Sequence, residues 1–359
     1  MSKFREKPVL FEIFPGLEGN VPWVKLGNFP TPLRRLKKLG KSIGAPALYI
    51  KRDDRSGALY GGNKIRKLEF SLAHALAQGK KTVVTFGGAG SNHVLATTIY
   101  GNTLGLKTAA FLTWQPPSTF VSRNIRGYSH YGTKMYYAKD AASLSAHLIN
   151  FGRNMFRSGY LLPPGGSNAH GTLGYVDAAF EIKRQVEEKE IPEPERIYVA
   201  AGSGGTMAGL LAGARLAGLS SKIVGVRVSE KWLINQITVS ALANAAVRLL
   251  RRADPSVPEA VFRTEDVILN HDYLGQGYGF FTSEGRRAMK LMEKREGIHI
   301  EGTYTAKCFA ALLDDLKRKP KTPTLFINTY NSVDIYSSLP EHCDFAPVPE
   351  PMRKMVLED

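Results

Sequence analysis

The chain has 359 residues, 43% of them hydrophobic and 22% charged, the balance of an ordinary globular protein long enough for two packed domains. Its 48 Lys and Arg exceed its 32 Asp and Glu by 16. These basic residues are scattered, as in Arg34-Arg35-Leu36-Lys37-Lys38, without zinc-finger or RNA-recognition spacing, so attraction for small anions is expected and specific nucleic-acid binding is not. No apolar run reaches the length of a bilayer span, Met1 to Pro8 lacks an apolar secretion core, and Cys308 and Cys343 form neither a metal spacing nor a disulfide framework. A cytoplasmic, metal-free chain with no membrane partner is therefore expected.

In chain order, the first informative segment is Gly61-Gly62-Asn63-Lys64-Ile65-Arg66-Lys67, a lysine on a glycine-rich turn before a helix. Leu68, Leu72 and Leu76 recur at i+4 and predict one apolar helical stripe ending near Gly79. The β-branched run Thr82 to Phe86 predicts a strand closed by Gly87-Gly88, and Ser91-Asn92 opens another helix. Further strands are expected at Lys107 to Trp114, at Tyr136-Tyr137, at Tyr160 to Leu162, at Ile197 to Ala200, at Ile223 to Val228 and at Thr324 to Asn328. Helices are expected at Ala141 to Met155, Thr172 to Glu188 and Met207 to Leu216. A strand is also expected just before Glu301, with a helix from about Ala306. Such βα repetition predicts an α/β fold: open, mostly parallel sheets with helices on both faces, and ligands at loops beyond the strands' carboxyl ends.

Those loops carry the residues suited to chemistry. An amine attacks a carbonyl only when unprotonated, so Lys64 requires desolvation or neighbouring cations such as Arg66 and Lys67; otherwise it simply opens a solvated helix. Ala201-Gly202-Ser203-Gly204-Gly205-Thr206 follows an apolar strand and precedes a helix, so its amides, its hydroxyls and the helix dipole suit one phosphate; a tight structural turn is the alternative. It is neither a Walker loop nor a clean dinucleotide fingerprint. Ser91 or Asn92 can cap the following helix, or Ser91 can move a proton while Asn92 binds a phenolic oxygen. Tyr278 and Tyr304 offer hydroxyls to a substrate, and Thr305 offers one to a ring nitrogen. A lysine amine beside a single-phosphate cradle is what pyridoxal 5'-phosphate requires.

Taken together, Thr31-Pro32-Leu33, Ile50-Lys51-Arg52-Asp53-Asp54, the Lys64 block, Ser91-Asn92-His93, Gly165-Gly166-Ser167-Asn168, the Ser203 to Thr206 turn and the Tyr304 block resemble one family over most of the chain. It is that of 1-aminocyclopropane-1-carboxylate deaminases and D-cysteine desulfhydrases, pyridoxal-phosphate enzymes of the tryptophan synthase β-subunit type, fold type II. The resemblance implies a covalent cofactor lysine at Lys64, and Asn92 as partner of the cofactor's phenolic oxygen. It implies phosphate binding by Gly202, Ser203, Gly204, Gly205 and Thr206, with Ser91, Tyr278 and Tyr304 facing a small amino-acid substrate. It also implies a homodimer and a smaller domain, residues 66–177, inserted in a larger one, residues 1–65 and 178–359, with the site between them.

The deaminase branch carries a glutamate where this chain has Thr305; threonine beside the ring nitrogen gives a weaker electron sink, sufficient when a group leaves from Cβ. Thr329, in a segment similar to that of desulfhydrases, and His93 lean the same way, toward β-elimination. Tyr330-Asn331 stands where the family has two glycines, Met207 where a histidine is frequent and Gly90 where glutamine is usual, which points to a bulkier or differently polar substrate than D-cysteine. The alternatives are the deaminase reaction, β-replacement, and a non-catalytic phosphate- or nucleic-acid-binding protein.

Overall fold

The computed structural model describes residues 4–140, 142–147, 158–337, 339 and 345–356. Their strands, in chain order, are β1 Leu33–Arg35, β2 Leu48–Lys51, β3 Thr82–Gly88, β4 Lys107–Thr113, β5 Lys134–Tyr137, β6 Gly159–Leu162, β7 Arg196–Ala201, β8 Lys222–Arg227, β9 Ile268–Asn270 and β10 Thr324–Ile327. The helices are α1 Val9–Ile13, α2 Lys37–Ser42, α3 Lys64–Ala77, α4 Asn92–Thr103, α5 Thr119–His130, α6 Ala169–Glu187, α7 Gly205–Leu216, α8 Gln236–Ala253, α9 Ser283–Glu296, α10 Thr305–Arg318 and α11 Glu350–Arg353.

The strands build a six-stranded sheet, β1-β2-β10-β7-β8-β9, and a four-stranded sheet, β5-β4-β3-β6. Every pairing is parallel except β1 with β2, as the βα pattern predicts. Strand alternation distributes the core. Ile197, Val199 and Ala201 of β7 pack with α6, α7 and α8, whereas Tyr198 and Ala200 pack with α9 and α10. On the four-stranded sheet, Val83, Ala110, Leu112 and Leu162 join Leu68 and Leu72 of α3 and the apolar face of α4. Among the described residues, its opposite face carries a small cluster around Val84, Ala109 and Phe111. Ile335, Val348, Met352 and Met355, near the C-terminus, pack into the four-stranded sheet's main core.

Helix α3 touches both cores, with Phe70 in one and Ile65, Leu68 and Leu72 in the other. Leu76, the last residue of the predicted stripe, is 39% exposed. The strand expected before Glu301 does not form; residues 297–300 are irregular, although Ile298 and Ile300 are buried. The helix predicted at Ala141 to Met155 is seen as helical residues 142–147; the rest of it lies outside the described residues, as does Cys343. Strands β1, β2 and β9 have only three or four residues each, too short to declare a period.

Candidate active site

Seven strands aim their carboxyl ends at one cleft of about 800 Å³. The loops after β3, β4, β5 and β6 contribute Ser91 to His93, Trp114, Ala138 and Gly165; those after β7, β8 and β10 contribute Gly202 to Gly204, Trp232 and Thr329. Crevices at strand ends are where open parallel sheets leave backbone groups and loops free for a ligand.

The lysine turn is held by its glycines. Gly62 has φ 90°, and a Cβ there would lie 2.8 Å from the Thr329 carbonyl oxygen. The Gly61 N–H donates to Asn331 Oδ1 at 2.6 Å, and the Asn63 N–H donates to the Thr329 carbonyl at 3.2 Å. Asn63 also donates through Nδ2 to Thr206 Oγ1 at 2.9 Å, which ties the lysine turn to the second glycine-rich turn, 143 residues away. Lys64 opens α3, and its amine has no hydrogen-bond or ion-pair partner among the described residues. Burial lowers its pKa to about 8, so desolvation, rather than Arg66, supplies the activation that an imine-forming amine needs.

In the second turn, Gly204 at φ 86° bends the chain into α7. Ser167 Oγ accepts from Lys67 Nζ at 2.9 Å and from the Gly205 N–H at 3.1 Å, so its own proton goes to Ser203 Oγ at 2.8 Å. Ser203 is thereby left as a donor toward the cleft, and Thr206, whose oxygen already accepts from Asn63, is left as another. Lys67 is fully buried behind this turn, where a Cβ on Gly205 would come within 2.7 Å of Nζ. Its pKa falls well below the ordinary lysine value through burial and the nearby Lys64. Two lysine amines, two aligned hydroxyls and a helix N-terminus, with no carboxylate paired to either lysine among the described residues, fit a phosphate group.

The facing wall holds the remaining predicted residues. Ser91 caps α4, accepting from the Val94 N–H at 3.4 Å, and also faces the cleft. Asn92 Oδ1 accepts from the Tyr60 hydroxyl at 2.7 Å, which leaves the Asn92 amide nitrogen as a donor directed at the cleft. His93 Nε2 pairs with Thr85 at 2.9 Å, while Nδ1 is buried without a partner; burial and the two lysines hold the ring neutral. Tyr278 and Tyr304 share a hydrogen bond of 2.5 Å between their hydroxyls. Burial pushes Tyr278 up to about 12 and Tyr304 well above its usual value, so both phenols keep their protons at neutral pH.

Thr305 and Thr329 line the same cleft. The Thr305 hydroxyl already accepts from the Glu301 N–H at 2.8 Å and donates to the Glu301 carbonyl at 3.2 Å. Of the predicted set, Gly205 alone sits behind the lining. Sequence reasoning named Lys67 as a cation beside Lys64, three residues away on one helix face, and Tyr330-Asn331 as a departure bearing on the pocket, but missed Asn63 and Ser167 and the contacts that join these distant segments. Glu301 was also missed: its buried carboxylate accepts from the N–H groups of Thr303, Tyr304 and Thr305 at 2.8, 2.6 and 3.0 Å and caps α10.

A desolvated amine linked to an anion cradle at the shared strand ends of two parallel sheets defines an α/β enzyme working through a phosphorylated aldehyde cofactor. Comparison with known proteins gives the family. The model of the pyridoxal-phosphate dependent enzymes matches residues 24–329, and the chain belongs to that family and uses that cofactor. It is 33% identical over 330 residues to the D-cysteine desulfhydrases of Salmonella paratyphi B and Salmonella newport, covering 89% of this chain and 97% of each relative. A solved homologue of ACC deaminase superposes with TM-score 0.75 at 32% identity, over 93% of this chain and all of that one. A pyridoxal 5'-phosphate-dependent aspartate racemase, 17% identical with TM-score 0.58 over 86% of this chain and 92% of that one, shares the fold. The fold and family expected from the sequence are those found. No helix among the described residues is long and apolar enough to cross a membrane.

Proposed function

We propose that this enzyme is a carbon–sulfur lyase resembling D-cysteine desulfhydrase, which eliminates a β-substituent from a small amino acid and releases a 2-oxoacid, ammonia and the leaving group. The observation that carries this reading is the Lys64 amine, desolvated and unpartnered, joined through Asn63 and Thr206 to a cradle of aligned donors. When bound, pyridoxal 5'-phosphate supplies the electron sink that makes the substrate's α-proton acidic.

The protein supplies position and protons. Lys64 Nζ holds the cofactor's aldehyde and, once released as a neutral amine, removes the α-proton. Ser203, Thr206 and the amides of Gly202 and Gly204 would hold the phosphate; the Gly205 N–H is taken by Ser167, and with Lys67 it supports the cradle from behind. Asn92 Nδ2 would donate to the phenolic oxygen, and Thr305 and Thr329 line the same cleft. Thr305 in place of a carboxylate would leave a ring nitrogen there without an acid partner, a weaker electron sink that suffices for loss of a good leaving group from Cβ. Ser91 and the Tyr278–Tyr304 pair, both phenols protonated, offer hydroxyls to the substrate carboxylate and the departing sulfur. The cleft separates a larger domain, residues 1–65 and 178–359, from a smaller one, residues 66–177, in a cytoplasmic homodimer.

The kinship with an ACC deaminase homologue keeps one second reading, cyclopropane ring opening, which yields 2-oxobutanoate instead of pyruvate. The test is a panel of D- and L-cysteine, β-chloroalanine and 1-aminocyclopropane-1-carboxylate, read by the oxoacid formed. Borohydride reduction and peptide mapping should place the cofactor on Lys64. Lys64→Ala is expected to lose that adduct and at least about 10³-fold in kcat, in the range for a general base. An adduct persisting on another lysine, or silence across all β-substituted substrates, overturns the reading.

A further inference from the structure

The reacting groups occupy only one end of the cleft. Register pairs Phe86 of β3 with Phe111 of β4 on the sheet face turned away from α4, and their rings stack at 5.5 Å. Both line the cleft, with Leu144 beside them and Trp114 extending the wall from the end of β4. The same cleft is lined by Trp232, in the loop after β8, and Phe280, two residues from Tyr278. Trp114 is 53% and Trp232 78% exposed, so two of the chain's three tryptophans stand in water at the cleft. Phe111 itself is buried against Phe86, Tyr136 and His147, so the exposed part of this lining is the two tryptophans, and large apolar side chains left in water at one cavity mark a ligand surface.

Gly87 and Gly88, immediately after Phe86, line the same cleft, and a Cβ on Gly88 would sit 2.8 Å from Gln115 Oε1 and 3.0 Å from the Tyr278 ring, so the glycine lets Gln115 and Tyr278 approach this strand end closely. Among the described residues, Lys64, Glu230 and Glu301 are the only lysine, arginine or acidic residues in the cleft lining; Glu301 is engaged in capping α10, and Glu230 is exposed. A volume near 800 Å³ lies toward the upper end of pockets that hold drug-sized ligands, about 300–1,000 Å³, room for a cofactor together with a substrate larger than a three-carbon amino acid.

We infer that this apolar arm receives the sulfur substituent of an S-aryl or S-alkyl conjugate of cysteine, whose amino-acid head sits at Lys64. This rests on the β-elimination reading and assigns its substrate class. The Cβ–S bond breaks, the thiolate takes a proton and leaves as a thiol, and one water converts the three-carbon remainder to pyruvate and ammonium; no oxidant or reductant is consumed.

The test compares S-benzylcysteine with S-methylcysteine, both enantiomers, on the holoenzyme, following pyruvate and thiol. S-benzylcysteine is expected to show a kcat/KM at least about tenfold higher, the low end of discrimination by an apolar pocket. Trp114→Ala, at an exposed position, should reduce that ratio severalfold. Binding is read separately through tryptophan fluorescence with homophenylalanine against alanine, neither of which has a leaving group. Pyruvate from S-methylcysteine with no preference for the benzyl compound overturns the arm while elimination stands. No pyruvate from either, with homophenylalanine still bound tenfold tighter than alanine, overturns elimination and keeps the arm. Equal binding of the two overturns it.

Discussion

Arg66 and Lys67 are neighbours on the first turn of α3, yet they meet opposite electrostatic surroundings. Arg66 is fully buried among acids: it donates to both oxygens of Asp53 at 2.9 Å and to both of Glu181 at 2.9 and 3.0 Å, with Phe29 stacked beneath its guanidinium at 4.1 Å. Arg5 and Lys51 complete this cluster with Glu69, Asp177 and Glu181, three cations against four carboxylates. Arg66 and Asp53 hold each other charged, and the surrounding cations keep Glu181 well below the ordinary carboxylate range. Lys64 and Lys67, on the cleft side, have no carboxylate paired to them among the described residues, and burial depresses both. Compensated charge fixes the helix; uncompensated charge waits for an anion.

Breaking the compensated side should produce the largest effect. Glu181→Ala strands Arg66 and Lys51 and is expected to cost about 3–5 kcal/mol in denaturant unfolding, the penalty for removing one partner of a buried ion pair. Lys67→Met sharpens the contrast from the other side. The apo-protein should keep its stability or gain some, because a desolvated cation is removed, while titration with pyridoxal 5'-phosphate shows about tenfold weaker binding, roughly 1.5 kcal/mol for one charge-assisted interaction. Asn63→Ala cuts the hydrogen bond between the two turns and should cost about 1 kcal/mol of stability in the same denaturant assay.

The smallest effect is a pH dependence. Lys64 titrates near 8 in the folded protein against 10.5 unfolded, so the unfolded chain holds more protons between those values. Apo-protein stability should therefore rise with pH from about 8 to 10.5, and the penalty is complete below 8. Inorganic phosphate, by neutralising the cradle, should raise the melting temperature more at pH 7 than at pH 10. Equal shifts at both would mean that Lys64 does not sense the anion.

Much of this was visible in one dimension. Lys64 on its glycine turn, the strand–turn–helix of Val199 to Thr206 and the alternation of β and α segments are local patterns, and each formed where the periodicity and capping rules put it. The strand expected before Glu301 failed because apolar residues such as Ile298 and Ile300 can be buried without a pairing partner, and composition does not register the difference. Thr305 was legible as a hydroxyl near the site, but its engagement with the Glu301 backbone was not, since a side chain's partners depend on the helix cap that forms around it.

The sequence by itself determined most of the elements, the family and the lysine on its glycine turn, because these follow from neighbours three, four or a few residues apart. Only the tertiary structure decided which cation would be neutralised by carboxylates and which amines would be left without one among the described residues, and that aromatic residues of two strands would line the same cleft. Those outcomes rest on contacts such as Asn63 with Thr206 and Arg66 with Glu181, separated by 143 and 115 residues. Charge balance and desolvation are properties of a volume, and a volume exists only once the chain has folded.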